Sequence, residues 1–307
     1  MRQVLRVEIN SVGLVGTYHP PVQEAAAPAA APGFPLPGVL LINFGQFNRA
    51  GPADLPVQLA ERLCHRGYPV FRFDMPGLGD TPGDLPEDFE TYWRFVQAGG
   101  HAVWIRDLVK VLKQQFTLPG FVLGGLCGSA NSAIFAAELL QGDVLALVLL
   151  DPAIGVTAAP VLAEPIAAGS APGTGGSIRA RIRGTYRSTR AKVRASTWSS
   201  PLRWIRDSIQ RIVRRLRGCE FPPGVNLRLI RCWQKLGIAG LPMIVLSDPS
   251  VRSAWYFLIR RDIFPPRNRN RVSLLDIDHT NHLFAIGAGR EAALGEIERW
   301  MTANFPS

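Results

Sequence analysis

The sequence predicts an α/β fold: a mostly parallel, doubly wound sheet with one lid insertion. Three observations predict it. Apolar runs of strand length alternate with stretches of helical spacing from residue 39 to residue 150. Those runs are continuously apolar, as in strands buried on both faces. The alternation breaks after about residue 156, through an Ala/Gly/Pro-rich and then an Arg-rich stretch, and resumes near residue 241. Residues 1–155 and 241–307 therefore read as the core, and residues 156–240 as a basic lid or cap over one end of the sheet.

The elements follow in order. Val4 to Ile9 reads as a strand and Gly13 to Tyr18 as its hairpin partner. A Pro/Ala-rich loop, His19 to Pro37, leads to the apolar run Val39 to Asn43. Leu55 to Arg66 has helical spacing, and Val70 to Asp74 is the next strand. His101 to Phe116 is an amphipathic helix. Phe121 opens another strand, Ser132 to Leu140 is a helix, and Val144 to Leu150 is a strand. Beyond the insertion come a strand at Pro242 to Leu246, a helix near Val251 to Arg260, a strand at Val272 to Ile277, and a C-terminal helix from about Arg290 to Met301.

Composition narrows the function classes. At 47% apolar and 19% charged, the chain is not disordered throughout. The net charge of +10 is concentrated: Ser177 to Gly218 holds thirteen basic residues and one acid, Asp207, so the remainder is near neutral. Cys64, Cys127, Cys219 and Cys232 form no CxxC pair and no metal spacing. A reducing compartment is expected, with no metal and no cofactor. Met1 to Asn10 has no signal-peptide core, and Val144 to Leu150 is too short to span a bilayer. The expectation is a cytoplasmic protein, with peripheral contact at the inner membrane face open.

Chemistry in such sheets gathers at the carboxyl ends of the strands. The sharpest candidate is Gly124-Gly125-Leu126-Cys127-Gly128-Ser129, between a strand and a helix. It resembles the G-x-S-x-G nucleophile elbow of α/β-hydrolases, with Cys127 in the serine position and Ser129 in place of the last glycine. Small neighbours suit a strained turn, and a helix N-terminus favours a thiolate. A buried cysteine in a glycine-rich turn is the structural alternative. In the order nucleophile, acid, histidine, Asp248 follows the strand where the acid belongs; a turn or cap aspartate is its alternative. His282 is the expected base, with His279 as the alternative base in the same loop. The backbone N–H groups of Gly128 and Gln46 are the expected oxyanion hole, the latter in the loop Phe44 to Gly51, where Gly45 permits close approach. Asp74 to Gly83 reads as a tight turn shaping the pocket wall.

Asn43 to Gly51, Arg72 to Asp80, and Gly125-Leu126-Cys127 together resemble the cysteine-containing hydrolases associated with exosortase A systems. Arg49-Ala50-Gly51, Gly67 to Val70 and Leu149 to Pro152 are similar to that family as well, which often has Asn-Pro where Asp151-Pro152 stands. The resemblance spans roughly residues 38–155 and, more weakly, 241–303. It implies a hydrolase or acyl transferase. Gly128 departs from the family's Asp after the cysteine, and the basic insertion has no counterpart in it.

From Trp198 to Gly218, Leu202, Ile205, Ile209, Ile212, Val213 and Leu216 fall at helical spacing among arginines. The stretch reads as a lid helix, as a membrane-surface helix on anionic headgroups, or as a docking surface for an acidic carrier protein or polyanion. No module for sequence-specific nucleic-acid binding is visible. The expected activity is cleavage of an ester or thioester through a Cys127–His282–Asp248 triad and an acyl-enzyme. Transfer of the acyl group to an alcohol, amine or thiol is the first alternative, and a non-catalytic binding protein on the same fold is the second.

Overall fold

The structure is a computed structural model, and it describes residues 2–22, 36–44, 46–155, 225–248 and 271–306. Eight strands form one sheet: β1 (Gln3–Ile9), β2 (Val12–His19), β3 (Gly38–Ile42), β4 (Val70–Phe73), β5 (Phe121–Leu126), β6 (Val144–Leu150), β7 (Met243–Ser247) and β8 (Val272–Asp276). Their order across the sheet is β1-β2-β4-β3-β5-β6-β7-β8. β1 and β2 form a hairpin closed by Asn10 and Ser11, both at positive φ, as a two-residue hairpin turn demands. β2 pairs antiparallel with β4, and β3 to β8 run parallel with β4. The strand pattern in the sequence thus becomes a doubly wound sheet with an antiparallel edge.

Six helices flank it among the described residues: α1 (Leu55–His65), α2 (Phe89–Gln97), α3 (Ala102–Gln115), α4 (Gly128–Leu140), α5 (Leu227–Ile238) and α6 (Gly287–Asn304). Strand side chains alternate between two cores, the period-2 rule at work. Leu40 and Ile42 of β3 join one core with α3, α4 and α5, whereas Val39 and Leu41 join the other with α1 and α6. Because both faces are covered, β3, β5 and β7 are buried from end to end.

Two helices were not foreseen. α2 has only nine residues, and its start is set by the Asp88 carboxylate, which accepts the Thr91 N–H at 2.8 Å. α5 falls inside the stretch assigned from sequence to the insertion, yet its Leu229, Ile230, Trp233 and Leu236 pack into the core beside α4. Its amphipathic spacing was masked by the basic composition around it. Gly155 and Val225 pair in an antiparallel bridge, so the ends of two described stretches meet in one stem. Asn226 secures this stem, capping α5 through Leu229 and donating to the Gln97 backbone oxygen and Oε1, both at 2.7 Å. The Arg-rich run Ser177 to Gly218, the helix expected near Val251 to Arg260 and Cys219 lie outside the described residues. No helix among the described residues is long and apolar enough to cross a membrane.

Candidate active site

Cys127 stands between β5 and α4 with φ 56° and ψ −117°, a strained conformation for a residue with a side chain. Such strain persists only where neighbours hold it. The Cys127 N–H donates to the Leu150 carbonyl at 2.8 Å, tying the turn to β6. At Gly125 a Cβ would lie 2.5 Å from the Ser129 backbone carbon, so a side chain there would force the turn open. At Gly128 a Cβ would meet Val96 Cγ1 at 2.7 Å and the Trp93 ring at 3.1 Å, because α2 packs against the elbow. α4 starts at Gly128, four residues before the helix expected from Ser132. Its first-turn N–H groups have no intrahelical carbonyl to bind and carry the positive end of the helix dipole.

Hydrogen bonds carry the ladder past the strand ends on the other side of the elbow. Asp151 N–H donates to Leu246 O at 2.8 Å, and Ile277 N–H to Ser247 O at 2.9 Å. This register sets Asp151 against the loop that follows β8. His282 Nδ1 lies 3.1 Å from Asp151 Oδ2, and the Asp248 N–H donates to Asp151 Oδ1 at 2.9 Å. Sequence reasoning gave the orienting carboxylate to Asp248. In the structure the carboxylate at the imidazole is Asp151, at the end of the strand adjacent to β5, and the Asp248 backbone steadies it. A signal existed for Asp151, an acid at the carboxyl end of an apolar strand, but nothing in the sequence ranked it above Asp248.

The two histidines of the loop have separate surroundings. His279 is exposed and sits at positive φ. His282 is held between Asn281, whose side chain accepts the Ala285 N–H, and the fully buried Phe284. Burial works against a charged His282 imidazole, but hydrogen bonds to Asp151 and Cys127, and their charges, outweigh it and raise its pKa to about 10. Burial also pushes the Asp151 carboxyl up, against the two hydrogen bonds that stabilise its ionised form. The charged pair is the state the geometry favours, since both Asp151 oxygens face N–H donors.

The loop after β3 is anchored from below. Asn43 Nδ2 donates to Asp74 Oδ1 and to Phe47 O, each at 3.0 Å, and Asn43 Oδ1 accepts the Met75 N–H. Asp74 also accepts the Arg49 backbone N–H, the Arg49 guanidinium and the Asp80 N–H. Ser129, two residues past the cysteine, donates its hydroxyl to Asn43 O and so joins the elbow to this loop. Gln46 is exposed in the turn, and Gly45 lies outside the described residues. Ser129 and Asn43 were quoted from the sequence as motif positions; their bond became visible only with β3 and β5 side by side.

A cavity of about 520 Å³ opens beyond the Asp74 turn, lined among others by Arg49, Arg72, Asp54 and Asp80, and by neither Cys127 nor His282. Among the described residues no group of three or more His, Cys, Asp or Glu side chains could hold a metal ion. The site can do one kind of chemistry with its own groups: a sulfur nucleophile, a proton carrier at its side, and backbone N–H groups for a developing oxyanion.

No protein-family model and no curated protein matches the sequence. Solved structures match over nearly its whole length. An esterase of Pyrococcus furiosus superposes with a TM-score of 0.57 at 11% identity, covering 100% of this chain and 92% of that one. An alpha/beta hydrolase from Penicillium sp. sh18 gives 0.55 at 15% identity, with both chains covered in full. The thioesterase domain from the curacin biosynthetic pathway gives 0.53 at 12% identity, covering 97% of this chain and 99% of that one. With its parallel sheet, its strand-turn-helix at Cys127 and these neighbours, the chain has the α/β-hydrolase fold.

Proposed function

We propose that this protein is a cysteine acyl hydrolase that cleaves an ester or thioester through Cys127, His282 and Asp151. The observation that carries the reading is His282, 3.1 Å from Asp151 and near enough to Cys127, at the head of a strained elbow, for the cysteine to help raise its pKa. The solved esterase and thioesterase neighbours support this class of reaction, and the cysteine supports the resemblance to the hydrolases associated with exosortase A systems.

His282, whose pKa is raised, takes the Cys127 thiol proton, and Cys127 Sγ is the nucleophile. The sulfur adds to the acyl carbonyl carbon. The Gly128 N–H, with that of Gln46 as its partner, binds the oxygen that becomes negative. As the tetrahedral adduct collapses, His282 gives its proton to the departing alkoxide or thiolate. Water then enters, loses a proton to His282 and releases the acid from Cys127. Asp151 holds the ring and stabilises its positive charge throughout.

Intact-protein mass spectrometry with activated-ester and acyl-thioester probes tests the reading. An acyl adduct on wild-type protein that vanishes in Cys127→Ala supports it; turnover that survives in Cys127→Ala overturns it. The Arg-rich stretch 177–218 is proposed to hold an acidic carrier protein or an anionic membrane face. Such binding should weaken steeply as the Debye length falls from roughly 10 Å at 0.1 M salt to roughly 3 Å at 1 M. Binding that is indifferent to salt would remove that role.

A further inference from the structure

The cavity beyond the Asp74 turn lies between α1 and the sheet, where β2 and β4 pair and Thr17 stands opposite Arg72. Among the described residues six charged side chains line it: Arg2, Arg49, Arg72, Asp54, Glu61 and Asp80. Four of them are matched. Arg2 pairs with Glu61, and Arg49 holds Asp80 at 2.7 Å and Asp74 beneath. Arg72 and Asp54 remain, one charge of each sign, with no ionic partner among the described residues. Arg72 is only 4% exposed. Its Nε donates to His19 Nε2 at 3.0 Å and its Nη1 to Arg49 O at 2.7 Å, and Nη2 has no acceptor among the described residues. Neither partner is an anion. One is a backbone carbonyl, and the His19 imidazole is kept neutral by burial and by the Arg72 charge, which lower its pKa to about 4. A buried guanidinium ordinarily meets a carboxylate, because an uncompensated charge is costly to take out of water. Burial, with the charges of Arg2 and Arg49, pushes the Arg72 pKa down to about 10. Nor does Asp54 serve the helix it precedes: an aspartate there usually accepts a first-turn N–H, and this one accepts none.

We infer that this cavity is a second binding site, for a small zwitterion that places a carboxylate on Arg72 and an ammonium group on Asp54. A guanidinium edge matches a carboxylate in shape and charge, and hydrogen bonds between ionised groups are the strong ones. Asp54 is exposed and offers an ammonium group its acceptor. A ligand bearing both charges suits the cavity better than one bearing either. A plain anion would meet Asp54, Glu61 and Asp80, and a plain cation would meet Arg72. About 520 Å³ is ample for a small molecule. Neither Cys127 nor His282 lines the cavity, so its occupancy does not depend on the proposed chemistry.

Calorimetry on the full chain tests this with glycine, β-alanine, 4-aminobutyrate and 6-aminohexanoate, which space the two charges progressively, against acetate and methylammonium. One of the amino acids should bind at least about tenfold more tightly than acetate or methylammonium. Its length then reads the span from Arg72 to Asp54. Asp54→Asn should lower that affinity at least about tenfold and leave acetate binding within about twofold of wild type. Because Asp54 is exposed and caps nothing, this variant keeps its fold. Arg72→Lys should weaken the amino acid and acetate alike, since an ammonium lacks the planar fork. Urea unfolding checks the fold of Arg72→Lys, and where that variant is unstable the Asp54→Asn result decides. Cys127→Ala should bind as wild type does. The site is overturned if none of the four amino acids binds, if acetate binds as tightly as the best of them, or if the affinity survives Asp54→Asn or a folded Arg72→Lys. Loss of binding in Cys127→Ala overturns it too, by moving the ligand to the elbow.

Discussion

Asp74 and Asp151 occupy equivalent places and do different things. Each is buried, each ends an apolar parallel strand, and each lies near a proline. Asp74 spends its carboxylate on the loop after β3, binding Asn43, the Arg49 backbone and guanidinium, and the Asp80 N–H. Asp151 takes one backbone N–H, from Asp248, and turns its other oxygen to His282. A carboxylate saturated by loop donors fixes a backbone. One with an oxygen turned to a histidine can orient a proton carrier. The donors around the acid, more than the acid or its position, separate a backbone anchor from a carboxylate that can orient a histidine.

The contrast is most directly broken by substitution at the acids themselves. Asp151→Asn should lower kcat by about 10²–10⁴ while the protein remains folded. Asp248→Asn should cost much less, and steady-state kinetics on one ester with both variants would expose the reverse ranking. In the same assay His282→Ala should be as damaging as Asp151→Asn, and His279→Ala close to silent. Asp74→Asn should do its harm to stability, by about 3 kcal/mol in urea unfolding, because an amide would face donors and leave Arg49 without its buried partner. An Asp74→Asn protein as stable as wild type but inactive would erase the distinction between the two acids.

Histidines sharpen the contrast at a smaller scale. Below α2, His101 has both ring nitrogens buried without a hydrogen-bond partner, and burial lowers its pKa to about 4. An unfolded chain takes up its proton near pH 6.5 and the folded one only near 4, so stability falls with acid across that window. Between pH 7 and pH 5 the loss should be about 2 kcal/mol. His101→Phe should flatten that slope; an unchanged slope would assign it elsewhere. His282 has the opposite sign, contributing stability below about pH 6.5 that is lost as pH rises through about 10. Smallest of all, Ser129→Ala should lower kcat about fivefold to tenfold and leave KM and the iodoacetamide labelling of Cys127 unchanged. Labelling needs the thiolate but no oxyanion loop, so an equal loss of labelling would mean that Ser129 shapes the elbow itself.

The sequence by itself determined the parallel sheet, the hairpin edge and the elbow. Short, Val/Leu-rich apolar runs such as Val144 to Leu150, alternating with helical stretches, fit strands of a sheet covered on both faces, and a Gly-Leu-Cys-Gly turn between strand and helix is a local pattern. His282, preferred over His279 from the sequence, is the one the structure sets beside a buried carboxylate. α2, α5 and the contact of Asp151 with His282 were not legible. Short helices owe their stability to what they pack on, and no local period announces a partner far along the chain. Which of two buried aspartates meets an imidazole depends on the strand order β5-β6-β7-β8 and its register, and long-range pairing of that kind leaves no mark in the spacing of residues. Tertiary structure decided it, because Asp151 ends the strand beside the one that leads to Cys127.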